Sequence, residues 1–317
     1  MSIMNLPFVS IVVLNYNGKH LLEDCLTSLS DTNYPKNRYR VILVDNGSQD
    51  DSIDYAKKNF PFVDILKIQK NQGFAHGNNI GVKHALKDRK IEYIVVLNND
   101  TKVTKNWLLE LVKTVNADNG IGICGPKVLN MDGATQSVGG KLDIFGTPHL
   151  ITGDKNSPRS KDAFFISGCC MLIKRDIIEK LGYVFDPRYF SYFEDIDLCW
   201  RTWLLSYRVV CSYKSRIYHK FSQTISKDVK RGNLYLFHNY KNKILTYRKN
   251  LRTPLKELTL IPILLSTLIA IFHWSLKSKW MYGLYVFRYL FSKIDDNKQL
   301  RKISLKNQLR VLSLSMA

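Results

Sequence analysis

The residues best equipped for chemistry lie in one stretch, Phe190-Ser-Tyr-Phe-Glu-Asp-Ile-Asp-Leu-Cys-Trp-Arg201, where Glu194, Asp195 and Asp197 fall within four positions among aromatic side chains. Crowded carboxylates in an apolar setting repel one another and lose hydration. Such a cluster serves as a general base, a cation site or one half of an ion pair. Asp197 stands four residues before Arg201, the spacing of an ion pair along one helix face near its N-terminal end. Glu194 and Asp195 have no local partner of this kind, which leaves proton transfer or cation binding for them.

A second set of polar residues follows apolar runs. Asn98-Asn99-Asp100 closes Tyr93–Leu97. Asp100 there suits a hard divalent cation beside a diphosphate, or a simple strand-ending turn. Asp45 follows Val41–Val44 and can accept a hydrogen bond from a nucleobase or ribose, or form an Asx-turn shared with Asn46, Ser48 and Asp50. Gly73–Asn79 is a glycine-bearing loop before a helix, but it is not GxGxxG, and no GxxxxGK[ST] occurs, which argues against a dinucleotide fold and a P-loop. His219 gains a role only if it completes a cation site with Asp100. Ser167-Gly168 interrupts an apolar run, either as a bulge or to leave room for a close approach.

The elements that position these residues are legible for the first hundred positions. Phe8–Leu14 reads as a strand buried on both faces and Asn15–Gly18 as a turn; Leu21, Leu22, Cys25, Leu26 and Leu29 then mark a helix that Tyr34-Pro35 stops. Strands at 41–44, 63–68 and 93–97 alternate with helices from about Asp50, from Gly73 to Leu86 and over 104–116. This repetition predicts an α/β fold with a mostly parallel, Rossmann-like sheet flanked by helices. Ligands of such sheets bind outside the carboxyl ends of the strands, so residues 15–18, 45–50 and 98–100 should converge on one crevice. From 118 to 156 the pattern is irregular, and 153–161 reads as a polar loop. Ala163–Ile173 reads as a strand, followed by a helix to Leu181 and another from the acidic stretch to about Leu205.

The chain has 317 residues, 45% of them hydrophobic, enough for one large domain with an appendage. Its six cysteines show no metal-ligand spacing and sit in apolar runs, as buried, reduced thiols do. Met1–Pro7 carries no basic region and does not read as a secretory leader. Residues 1–213 hold 26 basic and 23 acidic groups, whereas residues 214–317 hold 21 and 4. An anionic surface, nucleic acid or lipid, is therefore expected for the tail alone.

Taken in order, Val9–Gly18, Leu43–Ser48, Gly73–Asn79, Val96–Asp100, Ile166–Gly168 and Phe193–Leu198 resemble glycosyltransferase family 2, inverting enzymes with the GT-A fold, over roughly residues 8–240. The rhamnosyltransferase-like members are the most similar. The resemblance implies a nucleotide-sugar donor, UDP- or dTDP-linked, held by Asn15, Tyr16, Asn17, Asp45 and Asn46. Gly73 and Asn78 would lie near the ribose and diphosphate. Asn98-Asn99-Asp100 stands where the family has DxD, with Asp100 contacting Mg2+ or Mn2+; the first Asp is Asn here. His219 falls at a further metal-ligand position, although Lys220-Phe221-Ser222 departs from the usual glycine-rich continuation. Asp195 matches the catalytic base, with Glu194 beside it, and Ser167-Gly168 faces the acceptor.

Residues 241–317 form a separate expectation, a basic, apolar helical membrane-association region after a catalytic domain at 1–240. Leu258–Leu276 carries no formal charge, but Pro262 lies inside it, and Thr259, Ser266 and His273 repeat every seven residues. Basic residues flank both ends, Trp280–Phe291 is rich in Trp and Tyr, and Lys298, Lys302, Lys306 and Arg310 follow at steps of four. These features favour a peripheral, monotopic or re-entrant anchor on the cytoplasmic face of the cell membrane, near a lipid-linked or glycan acceptor, over a true span or hairpin and over a soluble helical cap or dimer interface. A nucleotidyltransferase on a similar sheet is the rival enzyme reading. A nucleic-acid-binding protein leaves the front motifs unexplained, so no nucleic-acid partner is expected.

Overall fold

A computed structural model describes residues 6–153, 160–220, 229–276, 286 and 303–316, with side chains from 237 onward in the helix that begins at 229 and up to 272 in the one that follows. Most of Trp280–Phe291, with Lys277, Lys279, Lys298 and Lys302, and the loop at 154–159 lie outside the described residues.

β1 (Phe8–Asn15) is buried along nearly its whole length, as a run of β-branched residues between two strands must be. α1 (Lys19–Ser30) turns Leu22, Cys25, Leu26 and Leu29 inward. β2 (Tyr39–Asp45), α2 (Ser52–Asn59), β3 (Val63–Lys67), α3 (Gly73–Ala85) and β4 (Ile91–Asn98) repeat the unit. After a turn come β5 (Thr101–Val103), α4 (Trp107–Asn116) and β6 (Ile121–Leu129). The short strands β7 (Thr135–Ser137), β8 (Gly140–Leu142), β9 (Pro148–Leu150) and β10 (Lys161–Asp162) precede β11 (Cys170–Lys174), α5 (Arg175–Leu181), α6 (Glu194–Leu204) and β12 (Arg208–His219). The chain then becomes helical in α7 (Val229–Asn250), α8 (Leu255–Leu276) and α9 (Leu305–Met316).

The main sheet runs β10-β12-β6-β11-β4-β1-β2-β3, with β5 on β12 and β7 on β6. Its four strands from β4 to β3 are parallel; β11 is antiparallel to both neighbours, and β6 and β12 are again parallel. The α/β expectation holds, with a mixed half beyond β4. Strand period two divides the core. Ile11, Val13, Leu43 and Val95 face α1, α2 and α4, while Val12, Ile42, Val44 and Val96 face α3, α5, α6 and α7.

The sequence reading missed β6 and β12. Gly122, Gly125 and Pro126 spoil the strand pattern of β6, yet every one of its residues is buried. A Cβ on Gly125 would lie 2.1 Å from Ile166 Cγ2, so the glycine is what lets residues 163–169 cross this strand. That segment is not a regular strand as expected. It bonds at single points, Ala163 N to Val209 O (3.0 Å) and Phe165 with Gly140, before β11 begins at Cys170. α7 runs through the expected division at residue 240 and buries Ile244, Leu245 and Tyr247 in the same core as α6. All six cysteines are buried and unbridged.

Candidate active site

The carboxyl ends of β1, β2 and β4 are tied together by one buried amide. Asn15 Nδ2 donates to Ser48 Oγ (3.2 Å) and Ser52 Oγ (2.9 Å), and its Oδ1 accepts from Asn99 Nδ2 (2.8 Å). A Cβ on Gly18 would come within 2.4 Å of that Oδ1, which explains the glycine after the turn. Asn17, at φ +49°, accepts from the Gln49 amide (2.7 Å), while the Tyr16 ring is exposed at the rim. Asp45 is buried and forms the Asx-turn, its Oδ1 accepting from Ser48 N (3.2 Å). Asn46 donates to Asn71 Oδ1 (3.0 Å) and Gly73 O (3.2 Å) and accepts from Gln72 N (3.0 Å). Asn15, Asn46 and Asn99 thus spend these side-chain bonds shaping the loops.

Gly73, at φ +84°, lies where a Cβ would strike Phe190 O at 2.4 Å, and Phe74 N donates to that same carbonyl (2.7 Å). The loop is therefore clamped to the stretch that leads into the acidic cluster. Asn78 donates to Phe74 O (3.0 Å) and, fully buried, keeps an Oδ1 with no hydrogen-bond partner among the described residues.

Asp100 and His219 meet as the sequence reading required. His219, the last residue of β12, sits opposite Thr101, and its Nε2 lies 3.2 Å from Asp100 Oδ1. Gln136 Nε2 donates to Asn130 Oδ1 (2.8 Å), which turns Gln136 Oε1 toward His219 Nδ1 at 2.8 Å. That orientation makes Nδ1 a protonated nitrogen and turns Nε2 toward a carboxylate oxygen. A proton or a cation belongs between them. Asp100 Oδ1 is buried and accepts no hydrogen bond from the described residues. Among those residues no three or more His, Cys, Asp or Glu side chains are grouped so as to hold a metal ion. The donors fit a hard divalent ion that fills its shell with water and phosphate oxygens better than a closed protein cage. Gln136 was invisible in the sequence, since only the fold brings β7 to the end of β12.

On the other side, Tyr192 and Phe193 both adopt left-handed φ (+70° and +71°) immediately before α6, a costly conformation for aromatic residues. Asn242 of α7 holds this turn, donating to Ser191 O (2.8 Å) and Tyr192 O (2.7 Å). Asp195 then accepts from Gly168 N through Oδ2 (2.8 Å) and from Ile196 N through Oδ1 (2.8 Å). Burial raises its pKa against the pull of these amides. Glu194 is pushed well up, first by burial and then by the Asp195 charge, and its Oε2 has no hydrogen-bond partner among the described residues. A Cβ on Gly168 would meet Asp195 at 3.4 Å and Phe74 Cζ at 3.5 Å, so Gly168 borders both Asp195 and the Gly73 loop. The next residue, Cys169, accepts from Asn98 N (2.9 Å). Ser167 stays local, its Oγ accepting from Cys169 N (3.4 Å).

Asp197 has the expected partner, Arg201 Nε at 2.8 Å. It also has two that the sequence did not suggest, Lys249 Nζ (2.8 Å) and Asn250 Nδ2 (2.9 Å), both from α7. Lys249 reaches Asp186 as well (2.7 Å), and Asp186 pairs with Arg188 (2.7 Å). Burial alone would raise the Asp197 pKa, but Lys249 and Arg201 outweigh it and hold it low. Lys249 lies in the basic run that precedes Leu258–Leu276, yet its side chain is fully buried.

The sequence profile of Glycosyl transferase family 2 matches residues 10–182, more than half of the chain. The chain belongs to glycosyl transferase family 2. Among curated members, the low-salt glycan biosynthesis hexosyltransferase Agl10 of Haloferax volcanii is 25% identical over 200 residues, 61% of each chain. The poly-beta-1,6-N-acetyl-D-glucosamine synthase of Staphylococcus aureus is 27% identical over 207 residues, 63% of this chain and 47% of that one. The match thus spans about half to three fifths of these relatives. Two solved structures share the family 2 member's fold at low identity. TarS 1-349 of S. aureus in complex with UDP-GlcNAc has a TM-score of 0.59 at 17% identity, covering 89% of this chain and 81% of that one. The mannosyltransferase PcManGT of Pyrobaculum calidifontis, in complex with GDP-Man and Mn2+, has a TM-score of 0.56 at 16% identity and covers 98% and 80%. The GT-A expectation is met. The curated relatives named here are hexosyl and N-acetylglucosamine enzymes, and a rhamnosyltransferase-like subtype is not confirmed.

Proposed function

We propose that this family 2 enzyme transfers a hexosyl or deoxyhexosyl unit, with inversion, from a UDP- or dTDP-sugar to a hydroxyl of a lipid-linked or polysaccharide acceptor. The observation that carries the reading is the junction at Gly168-Cys169, whose two backbone groups bond Asp195 on one side and Asn98 of the Asp100 loop on the other. An acceptor hydroxyl entering beside Gly168 would give its proton to Asp195 as its oxygen bonds the anomeric carbon. The bond from that carbon to the diphosphate oxygen breaks in the same displacement, and no enzyme nucleophile is required. The raised pKa of Asp195 suits a base that must take a proton and later release it.

Asp100 and His219 would hold Mg2+ or Mn2+, which as a Lewis acid offsets the charge developing on the leaving diphosphate. Asp45 and the Tyr16-Asn17 turn are assigned to the nucleoside, and Gly73 and Asn78 to the ribose and diphosphate. Asn98 and Asn99 frame the same crevice. Within 241–317, the residues that α7 does not bury against α6 are assigned to an anionic membrane surface on its cytoplasmic face, where a lipid-linked acceptor would present its hydroxyl. PcManGT and GalNAc-T7 were solved with Mn2+ and a nucleotide or nucleotide-sugar, which supports the donor class and the metal.

The test is a thermal-shift screen of UDP-, dTDP- and GDP-sugars with and without Mg2+ or Mn2+. A metal-dependent rise in melting temperature with one donor class is expected. No shift with any donor under either condition refutes the assignment.

A further inference from the structure

α8 is long and apolar enough to cross a bilayer, with a mean hydropathy of 1.9 over Leu255–Phe272. Its two faces nevertheless differ. Ile263 and Thr267 are fully buried, Ile263 in the core shared with α6 and α7. On the opposite side Leu258, Ile261, Leu265, Leu268 and Phe272 are exposed, at alternating steps of three and four, which makes one continuous stripe. A helix fastened by one face to a folded domain is presented sideways, not as an isolated span.

A second apolar feature rests on the same helix, α7. The tip of the β8–β9 hairpin exposes Ile144 (61%) and Phe145 (38%). The turn beneath them is firmly built. Asp143 Oδ1 accepts from the amides of Phe145 and Thr147 (both 2.9 Å), and its Oδ2 meets His149 Nε2 at 3.0 Å. Lys243 of α7 donates to Phe145 O (3.0 Å). The only carboxylate of the tip is thereby occupied while two large apolar side chains are held toward solvent. A third element, α9, interleaves exposed Leu305 and Leu309 with exposed Lys306 and Arg310, and Gln308 Oε1 accepts from Arg252 N at the α7–α8 turn (3.0 Å). Exposed apolar area of this extent marks an interaction surface, and the basic residues set among it select an anionic partner.

We infer that the Ile144-Phe145 tip and the exposed stripe of α8 dock together on an anionic bilayer, with α8 lying in the membrane plane. The inference rests on the membrane assignment above and adds the hairpin tip as an insertion point far away in sequence. Two points fix an orientation of the domain that one helix cannot.

Flotation of the full chain with vesicles of neutral phosphatidylcholine, with and without 30 mol% (about one in three lipids) phosphatidylglycerol, tests it. The wild type is expected to bind the anionic vesicles. Ile144→Ser/Phe145→Ser should weaken that binding about tenfold, as partial burial of two large side chains implies, with melting temperature unchanged. Failure of the wild type to bind either vesicle would overturn the membrane assignment itself. Binding that is unaltered by the tip substitutions would overturn only the two-point inference. A change of oligomeric state without a change in vesicle binding would assign the tip to a second copy of the chain and overturn it as well. Resistance of α8 to extraction by alkaline carbonate would refute the in-plane placement.

Discussion

Lys249→Met is the most informative single substitution, because it removes one ammonium that two buried carboxylates share. Lys249 Nζ stands 2.7 Å from Asp186 Oδ2 and 2.8 Å from Asp197 Oδ1, and all three side chains are almost wholly buried. Taking one partner from a buried pair leaves charge uncompensated, at a cost of about 3–5 kcal/mol. Arg201 and Arg188 remain, one beside each carboxylate, which places the expected loss at the lower end, ~3 kcal/mol. For a chain of 317 residues that lowers the melting temperature by roughly 4–5 °C.

The pH dependence gives the stricter check. Asp186 and Asp197 are held below the usual carboxylate range in the fold, where burial is outweighed by Arg188 and Lys249 at one and by Lys249 and Arg201 at the other. A depressed carboxylate stabilises the fold above its unfolded value, about 3.9, and that contribution fades as pH falls through the folded value. The gap between wild type and variant should therefore be widest near neutrality and narrow as pH falls below about 4, closing only where the depressed wild-type carboxylates themselves take up protons. Thermal unfolding from pH 3.5 to 8 measures it. A loss under ~1 kcal/mol at neutral pH, or a gap that does not change with pH, would refute the network's role. Adding Asp197→Asn should recover part of the loss, since it deletes the stranded charge. Because Asp197 sits two residues beyond Asp195 on α6, kcat should fall while donor KM holds.

Asp195→Asn should lower transfer by about 10²–10⁴-fold and leave the donor-induced thermal shift intact; retained transfer would move the base elsewhere. Glu194→Gln should stabilise the fold above about pH 5, because a raised folded pKa means that stability is full below the unfolded value and declines as pH rises. The advantage should grow by at most about 1.4 kcal/mol per pH unit, and a variant less stable than wild type at pH 8 would contradict it. Gln136→Leu removes the acceptor that fixes the His219 tautomer, so Mn2+ affinity in the presence of UDP should drop about 10–100-fold by titration calorimetry. Unchanged affinity would refute the orienting role of Gln136.

The sequence showed the loops after β1, β2 and β4 well because their parts are local. A buried strand followed by Asn15–Gly18, Asp45–Ser48 or Asn98–Asp100 is a pattern contained within about ten residues. It also showed Asp197 with Arg201, since four positions on a helix determine that contact. It missed what only the fold brings together. β6 hides its strand character behind Gly122, Gly125 and Pro126, and β12, though rich in β-branched residues, is interrupted by Lys214, Ser215 and Arg216. Lys249 and Asn250 lie 52 and 53 residues beyond Asp197 in a run of basic residues, and composition alone assigned them to the membrane.

α7 changes how the two parts of the chain relate. Asn242 faces the left-handed turn at Tyr192-Phe193, and Lys249 and Asn250, seven and eight residues later, face Asp197. That spacing returns to one helical face, so a single stripe of α7 both holds the turn that starts α6 and neutralises its first-turn carboxylate. Glu194 and Asp195 lie between these two anchors. Compensating the Asp197 charge weakens its repulsion of Glu194, which burial and Asp195 already push up. α7, which bonds the hairpin tip through Lys243 and packs against α8, is thus also the helix that holds the surroundings of Asp195. A catalytic domain cut at residue 240 would retain every recognised motif and lose Asn242, Lys249 and Asn250, so it should melt lower than the full chain and transfer poorly even to a soluble acceptor.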